Sequence, residues 1–227
     1  MSRGTPEMTR KATNAAKPAA LDTGMVVPTA PSASVPAAPR DYASQGPFAG
    51  DDLDGSFGII PCTFKGRPNR MVDVVHRRLV QFGRPMVEPL APTCTRFDVI
   101  LPPHAPDACY DPLVLARLID AQRMPDQQDL AILITLRFEH HALLHRGWEL
   151  ARGFALQCLA TERDTPVVAA MHVPQVAGRK LKPHVHLIAS SRRILGSNCA
   201  DFVTDLLGAD AKVNAAKLWS DWCAAHT

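Results

Sequence analysis

Two apolar segments of strand length, separated by a short basic stretch, constrain the fold of this chain most strongly. Residues 165–173 (TPVVAAMHV) and 184–191 (HVHLIASS) are rich in apolar side chains, and residues 174–183 between them (PQVAGRKLKP) contain Pro and Gly. This pattern predicts two antiparallel strands joined by a loop. Apolar runs of similar length predict two further strands at residues 96–101 and 129–138.

Helices are predicted in the intervening and C-terminal segments. Asp111 followed by Pro112 is a favourable helix start, because Asp caps the first turn and Pro suits the first helical position. The predicted helices cover residues 71–82, 112–123, 141–161, 199–207 and 212–225. Helices combined with a predicted hairpin indicate an α+β fold, an antiparallel sheet with flanking helices.

The N-terminal segment, residues 1–56, is rich in Pro and Ala and shows no apolar periodicity. Such a composition predicts disorder, so the folded domain is expected at residues 57–227. No run approaches the roughly 18 apolar residues of a membrane span. The start of the chain also lacks the apolar core of a secretory signal. We therefore expect a cytoplasmic protein with no membrane association.

Charge and cysteine content narrow the possible functions and cellular compartment further. The formal net charge of +3 excludes a strongly basic, tail-type nucleic-acid binder, but a local basic groove remains compatible with it. The six cysteines are scattered and form no C-x-x-C pair. Free thiols in a reducing compartment are the simplest interpretation.

Histidines mark the predicted hairpin. His184 and His186 alternate with a valine, so both point to the same face of a strand. His172 lies near the end of the preceding strand, and antiparallel pairing would bring it close to them. Three imidazoles on one face could bind a divalent cation and leave positions open for water or a phosphate oxygen, which suits a catalytic site. The alternative is ordinary polar decoration of a strand.

Other histidines and the basic residues near the hairpin carry weaker patterns. A second histidine cluster at a predicted helix start favours solvent or capping roles (His140, His141 and His145). Basic residues in the loop and after the last strand could hold backbone phosphates of single-stranded DNA: Arg179, Lys180, Lys182, Arg192 and Arg193. A solvated loop and a strand-end charge pair are the alternative.

Five pieces of sequence follow one another between Tyr110 and the end of the predicted hairpin: YDPLVLARLIDAQR, LAILITLRFEHH, ELARGFALQCLA, VVAAMHVP and KPHVHLIASSRR. In their order and approximate lengths, the segment from Tyr110 to Ile194 resembles the MobA/MobL group of plasmid mobilisation relaxases, in the HUH endonuclease superfamily. The C-terminal KLWSDWCAAH is similar to the Trp-containing helix that ends the family's domain. The chain departs from the family pattern in two respects. No N-terminal strand-then-helix segment with the family's nucleophilic tyrosine is found, and the loop between His172 and His184 is a few residues longer than is usual.

The resemblance implies a function and a set of site residues. His172, His184 and His186 would be the ligands of Mg or Mn, and Glu139 would assist the site by a contact behind the ligands or by positioning substrate. The alternative for Glu139 is a solvated acid at a helix start. The substrate would be single-stranded DNA at an origin of transfer, with other mobilisation proteins as further partners. Nicking would proceed through a 5′-phosphotyrosyl link. The chain has two tyrosines; Tyr42 is the first candidate nucleophile and Tyr110 the second.

Three alternatives stay open at this point. The chain could be a catalytically impaired, relaxase-like protein that binds single-stranded DNA or acts as an accessory mobilisation protein. It could be a metal phosphodiesterase that uses water as the nucleophile. It could also be a HIT-type nucleotide hydrolase, although the third histidine of that family's string is replaced here by Ile188.

Overall fold

The computed structural model describes residues 46–48, 54–81, 83–139 and 143–226. Residues 1–45 of the segment predicted to be disordered lie outside these ranges, as do Tyr42, His140 and His141.

Ten strands are present in the described part of the chain. They are β1 (Gly46–Pro47), β2 (Gly55–Pro61), β3 (Thr63–Phe64), β4 (Arg67–Pro68), β5 (Arg96–Ile100), β6 (Asp129–Arg137), β7 (Val167–His172), β8 (His184–Ser190), β9 (Arg192–Leu195) and β10 (Asn198–Phe202). Six of them form one antiparallel sheet in the order β1-β2-β6-β8-β7-β5, while β3 pairs with β4 and β9 with β10. The α+β fold with an antiparallel sheet is therefore confirmed.

Four α-helices flank this sheet. They are α1 (Met71–Leu79), α2 (Pro112–Ala121), α3 (Leu144–Phe154) and α4 (Ala211–His226). The Asp111 carboxylate accepts hydrogen bonds from the backbone N–H groups of Leu113 and Val114, which confirms the predicted cap of α2. After α3 the chain continues in a π-helical segment, Ala155–Thr161, so the long helix predicted here changes its winding halfway.

Each face of the sheet is covered by two helices. On one face, α1 and α2 pack against side chains such as Leu133, Val168 and Ile188. On the other face, α3 and α4 pack against alternate residues of the same strands, such as Val185 and Leu187. Because strand side chains alternate between faces, the central strands β6, β7 and β8 are buried on both sides.

The predicted hairpin is confirmed, and its register is defined. β7 and β8 are antiparallel neighbours, with His172 opposite His184 and Ala170 opposite His186. On its other side β8 pairs with β6, which places Thr135 opposite His186. The histidines therefore lie on the face covered by α1 and α2, at the end of the sheet where β7 stops and β8 begins.

Two helix predictions need correction. The helix predicted at residues 199–207 is wrong: β10 and a 3-10 turn, Thr204–Leu206, occupy this region. Gly196, with a φ of 59°, forms the tight turn that pairs β10 with β9 instead. The helix predicted at residues 71–82 ends earlier, at Leu79.

The sheet also includes residues before the predicted domain start at residue 57. Gly55 and Ser56 belong to β2, and β1 pairs with Ser56 and Phe57. Phe48 is buried against the core, and its ring lies where a Cβ on Gly55 would be placed, 2.3 Å from the ring atoms. A glycine at position 55 thus allows this phenylalanine to pack on the sheet.

A candidate metal centre on the central strands

Three imidazoles converge at the end of the sheet where β7 stops and β8 begins. The ring centroids of His172, His184 and His186 are 4.8, 5.0 and 5.3 Å apart. One ring nitrogen from each lies within 4.8 Å of the other two. The register explains this convergence, because the direct partner of His184 on β7 is His172, while His186 lies two residues further on the same face.

Each imidazole is held through one of its two nitrogens. His172 Nε2 donates to the carbonyl of Arg78 at the end of α1, at 2.7 Å, and His184 Nδ1 donates to the carbonyl of Lys182, at 3.0 Å. His186 Nδ1 lies 2.8 Å from the hydroxyl of Thr135 on β6. These contacts orient the three rings, and the two carbonyl partners also fix the tautomers of His172 and His184. The second nitrogen of each ring is then available to a metal.

The histidine pKa values favour neutral rings. Burial lowers the pKa of His172 to about 4, and it lowers that of His186 well below its usual value. Burial also lowers the pKa of His184. A neutral imidazole has a lone pair to offer a cation, whereas a protonated one has none. Near neutral pH, therefore, all three rings are in the form that binds metal.

Two arginines that the sequence did not single out lie beside the histidines. The charges of Arg78 and Arg137 both contribute to the lowered pKa of His184 and of His186. Arg137 is the last residue of β6 and pairs directly with His184. These cations add positive potential next to the imidazoles, which suits an anionic ligand such as a phosphate.

Lys182 and Glu139 meet at the edge of this site. The ammonium group of Lys182 lies 3.1 Å from a carboxylate oxygen of Glu139 and 2.5 Å from one of Asp54. These two hydrogen bonds raise the pKa of Lys182. Glu139 is largely exposed, two residues after β6 ends, so the structure places it beside the histidine site in an ion pair with Lys182.

The other predicted DNA-binding residues fall into two groups. Arg179 and Lys180 are exposed in the loop between β7 and β8, at the end of the sheet that carries the histidines. Arg192 and Arg193 follow the far end of β8, which is six residues and about 20 Å from His184 along the strand. The Arg192 guanidinium donates to the backbone carbonyls of Ala200, Gln122 and Cys199. The structure thus brings the loop residues near the histidines and leaves the strand-end pair apart from them.

The candidate tyrosines are not brought to the histidines within the described residues. Tyr110 is exposed on the 3-10 turn after β5. The last residue of β5, Ile100, pairs with Val167, which lies five residues before His172. That offset corresponds to about 17 Å along a strand. Tyr42 lies outside the described residues, four positions before β1.

The histidine cluster fits a divalent cation. It offers three imidazole nitrogens from two adjacent strands, each ring oriented by a bond on its other side, which is the donor set of an open, three-ligand site. Imidazole ligands suit Zn, Cu, Fe and Ni, and three of them bind these softer metals more tightly than Mg or Mn. These three residues could therefore hold a metal ion.

Of the helices in the described ranges, none combines the length and the apolar character needed to span a lipid bilayer.

Comparison with known proteins gives one structural relative at low sequence identity. No family model matches the chain, and no curated protein matches it. The fold is similar to that of a solved structure concerned with the molecular basis of vancomycin resistance transfer in Staphylococcus aureus, with a TM-score of 0.56 and 16% identity over 75% of this chain and 89% of that chain. At this identity, what the two proteins share is a fold: an antiparallel sheet between helices that carries, in this chain, a three-histidine cluster.

Proposed function

We propose that this protein is a metal-dependent, relaxase-like DNA-processing protein of the MobA/MobL type. Its reaction would be the site-specific nicking of one DNA strand at a plasmid origin of transfer, in support of conjugative mobilisation. Single-stranded DNA is the proposed substrate, and Mg or Mn the proposed metal. The protein would act in the cytoplasm, where other mobilisation proteins would be available as partners.

The observation that carries this proposal is the arrangement of His172, His184 and His186. Each ring is bonded through one nitrogen, and one nitrogen from each ring lies within 4.8 Å of those of the other two. A bound divalent cation would supply Lewis-acid activation of a phosphodiester. The shared fold with a protein connected to the transfer of vancomycin resistance adds support for a role in DNA mobilisation.

The residues around the histidines have complementary tasks in this proposal. Arg137 lies opposite His184 and would hold a phosphate oxygen through its planar guanidinium. Arg179 and Lys180 in the exposed loop would contact neighbouring phosphates along the strand. Glu139 would act through Lys182, with which it forms an ion pair, and so would position this lysine.

The nucleophile is the part of the mechanism that separates two candidate functions. Tyr42 is the proposed nucleophile, because Tyr110, the second tyrosine of the chain, follows the end of β5 that is remote from the histidines. The position of Tyr110 also favours a second candidate, a relaxase-like protein that binds single-stranded DNA and does not form a covalent link. The same three histidines would then contribute to binding.

Covalent capture of DNA separates these candidates. Single-stranded oligonucleotides of random sequence, labelled at the 3′ end because a 5′-phosphotyrosyl link retains the 3′ fragment on the protein, are incubated with the full chain and Mn²⁺, and the protein is resolved by denaturing electrophoresis. We expect a labelled protein–DNA adduct that Tyr42→Phe abolishes and Tyr110→Phe retains, and sequencing the captured strands identifies the nicking site. His186→Ala should lose both the adduct and tight Mn²⁺ binding.

Three other outcomes change the conclusion. An adduct that survives both tyrosine substitutions would exclude the tyrosine mechanism. Free cleavage products without any adduct would favour a hydrolytic phosphodiesterase. Binding of the oligonucleotides without cleavage or adduct would favour the DNA-binding candidate.

A further inference from the structure

A small network of opposite charges lies at the edge of the histidine site. Asp54 precedes β2, and its carboxylate lies between two cations, with Oδ1 3.9 Å from Arg137 Nη1 and Oδ2 2.5 Å from Lys182 Nζ. The backbone holds this carboxylate in place, because the Asp54 carbonyl accepts a hydrogen bond from the Arg137 N–H at 2.8 Å. Among the ion pairs of the described residues, Asp54 is therefore the acid shared by these two cations.

Both cations lie at the histidine end of the sheet, where single-stranded DNA is proposed to bind. Arg137 pairs with His184 across β6 and β8, and the Lys182 carbonyl accepts the hydrogen bond of His184 Nδ1. An anion between Arg137 and Lys182 is therefore a direct neighbour of the histidine cluster. At present that anion is a carboxylate of the protein itself.

A phosphodiester matches the position of this carboxylate. Both groups present two oxygens and one negative charge, and guanidinium binds either of them through paired N–H groups. The Asp54 and Arg137 side chains are more than one third exposed, and their distance of 3.9 Å is long for an ion pair. Exposed ion pairs contribute little to stability, so an incoming phosphate can displace the carboxylate at small cost.

We propose that Asp54 is an internal competitor of DNA: its carboxylate occupies the position between Arg137 and Lys182 that a backbone phosphate of single-stranded nucleic acid takes on binding. This inference rests on the proposed binding of single-stranded DNA and adds a regulatory element to it. Asp54 weakens binding to strands that contact this position alone. A strand that also contacts the loop cations overcomes the competition.

The test measures binding without nicking. Fluorescence anisotropy follows a labelled 20-nucleotide oligothymidylate with the full chain in EDTA, at a series of NaCl concentrations. The matched control is Asp126→Asn, because Asp126 is an exposed acid in the turn before β6, at the other end of the sheet, and the substitution changes the net charge by the same amount. Asp54→Ser accompanies Asp54→Asn, and thermal unfolding verifies that each variant is folded.

We expect Asp54→Asn and Asp54→Ser to bind the oligonucleotide about three- to tenfold more tightly than the wild type, and Asp126→Asn to change affinity less than twofold. The slope of log K against log salt should steepen by about 0.7 for each cation that newly neutralises a phosphate. Arg137→Gln should weaken binding, and the double variant Asp54→Asn/Arg137→Gln should lose most of the gain.

Equal or weaker binding by both Asp54 variants, relative to Asp126→Asn, would overturn the inference. Absence of binding by the wild type and both Asp54 variants would overturn it together with the proposed DNA-binding function. Tighter binding by the Asp54 variants in a protein that forms no adduct in the capture assay would support the competitor role and reject the nicking function, so the two proposals fail separately.

Discussion

Thr135 offers a direct test of how the histidine site is organised, because its hydroxyl holds His186 from behind. The side chain is 3% exposed, and its Oγ1 lies 2.8 Å from His186 Nδ1. Thr135→Val keeps the shape of the side chain and removes the hydroxyl. The ring of His186 then loses the partner that fixes its orientation, and a buried polar nitrogen loses its hydrogen bond.

The expected magnitudes follow from these two losses. Loss of a contact behind a metal ligand lowers metal affinity by roughly 10- to 100-fold. Leaving a buried polar group without its partner costs about 1–3 kcal/mol of unfolding free energy. For a domain of this size each kcal/mol corresponds to a shift of about 2–4 °C in Tm.

Isothermal titration with Mn²⁺ and thermal unfolding of the metal-free protein measure the two effects separately. Thr135→Ser is the matched control, because it retains the hydroxyl and should keep most of the affinity. If Thr135→Val binds Mn²⁺ as tightly as the wild type, the hydroxyl does not orient His186 for metal binding. If Thr135→Ser loses as much affinity as Thr135→Val, packing of the methyl group and not the hydrogen bond is responsible.

Four further expectations concern stability. Burial lowers the pKa of His172 from its usual value near 6.5 to about 4, so between these pH values the unfolded chain binds a proton that the folded chain does not. The free energy of unfolding should therefore fall by up to about 3 kcal/mol as the pH decreases through this window. Urea unfolding of the wild type and of His172→Gln at a series of pH values measures the difference. Gly153→Ala should destabilise by about 1–3 kcal/mol, because the new Cβ would lie 2.7 Å from the Trp222 ring, and stabilisation in urea unfolding would contradict this packing argument. Asp111→Ala removes the cap of α2 and should cost about 0.5–2 kcal/mol in the same assay, with Asp111→Asn close to wild type. Arg192→Ala should destabilise the protein by about 1.5–3 kcal/mol, because the hydrogen bonds to three carbonyls are lost. The same variant should bind oligothymidylate as tightly as the wild type. Weaker binding by a folded variant would show that Arg192 contributes to DNA binding.

Local sequence pattern was sufficient to predict that the three histidines come together. His184 and His186 alternate on a strand, and a loop of suitable length returns the chain from His172, so period and loop alone place all three rings on one face. The same reasoning found the cap of α2. These features depend on residues within a few positions of one another or on one hairpin.

The partners behind the ligands could not be predicted, because they depend on long-range packing. The Arg78 carbonyl is 94 residues from His172 in the chain, and Thr135 is 51 residues from His186. The sheet order that makes β6 the neighbour of β8 has no local signal. The same holds for the approach of Asp54 to Lys182.

The wrong helix prediction at residues 199–207 could have been avoided from the sequence alone. Residues 199–207 contain apolar side chains that fit a helix, but Gly196 and Ser197 separate two short strand-like runs, and a Gly-Ser pair between such runs is typical of a hairpin turn. Turn chemistry therefore outweighed apolar spacing there. The position of Tyr110 had no such signal in the sequence. Only the pairing of β5 with β7 shows that the chain leaves the sheet toward Tyr110 at the end remote from the histidines.

The position of the histidines on β7 and β8 has a kinetic consequence. These strands lie inside the sheet, with helices on both faces, so their amide protons should exchange with solvent only when much of the domain opens. We therefore expect the three histidines to lie in the slowest-exchanging part of the protein, so that a cation would not need to assemble them. Metal uptake and release should then proceed without refolding, and deuterium incorporation into β7 and β8 should be equally slow in EDTA and in the presence of metal.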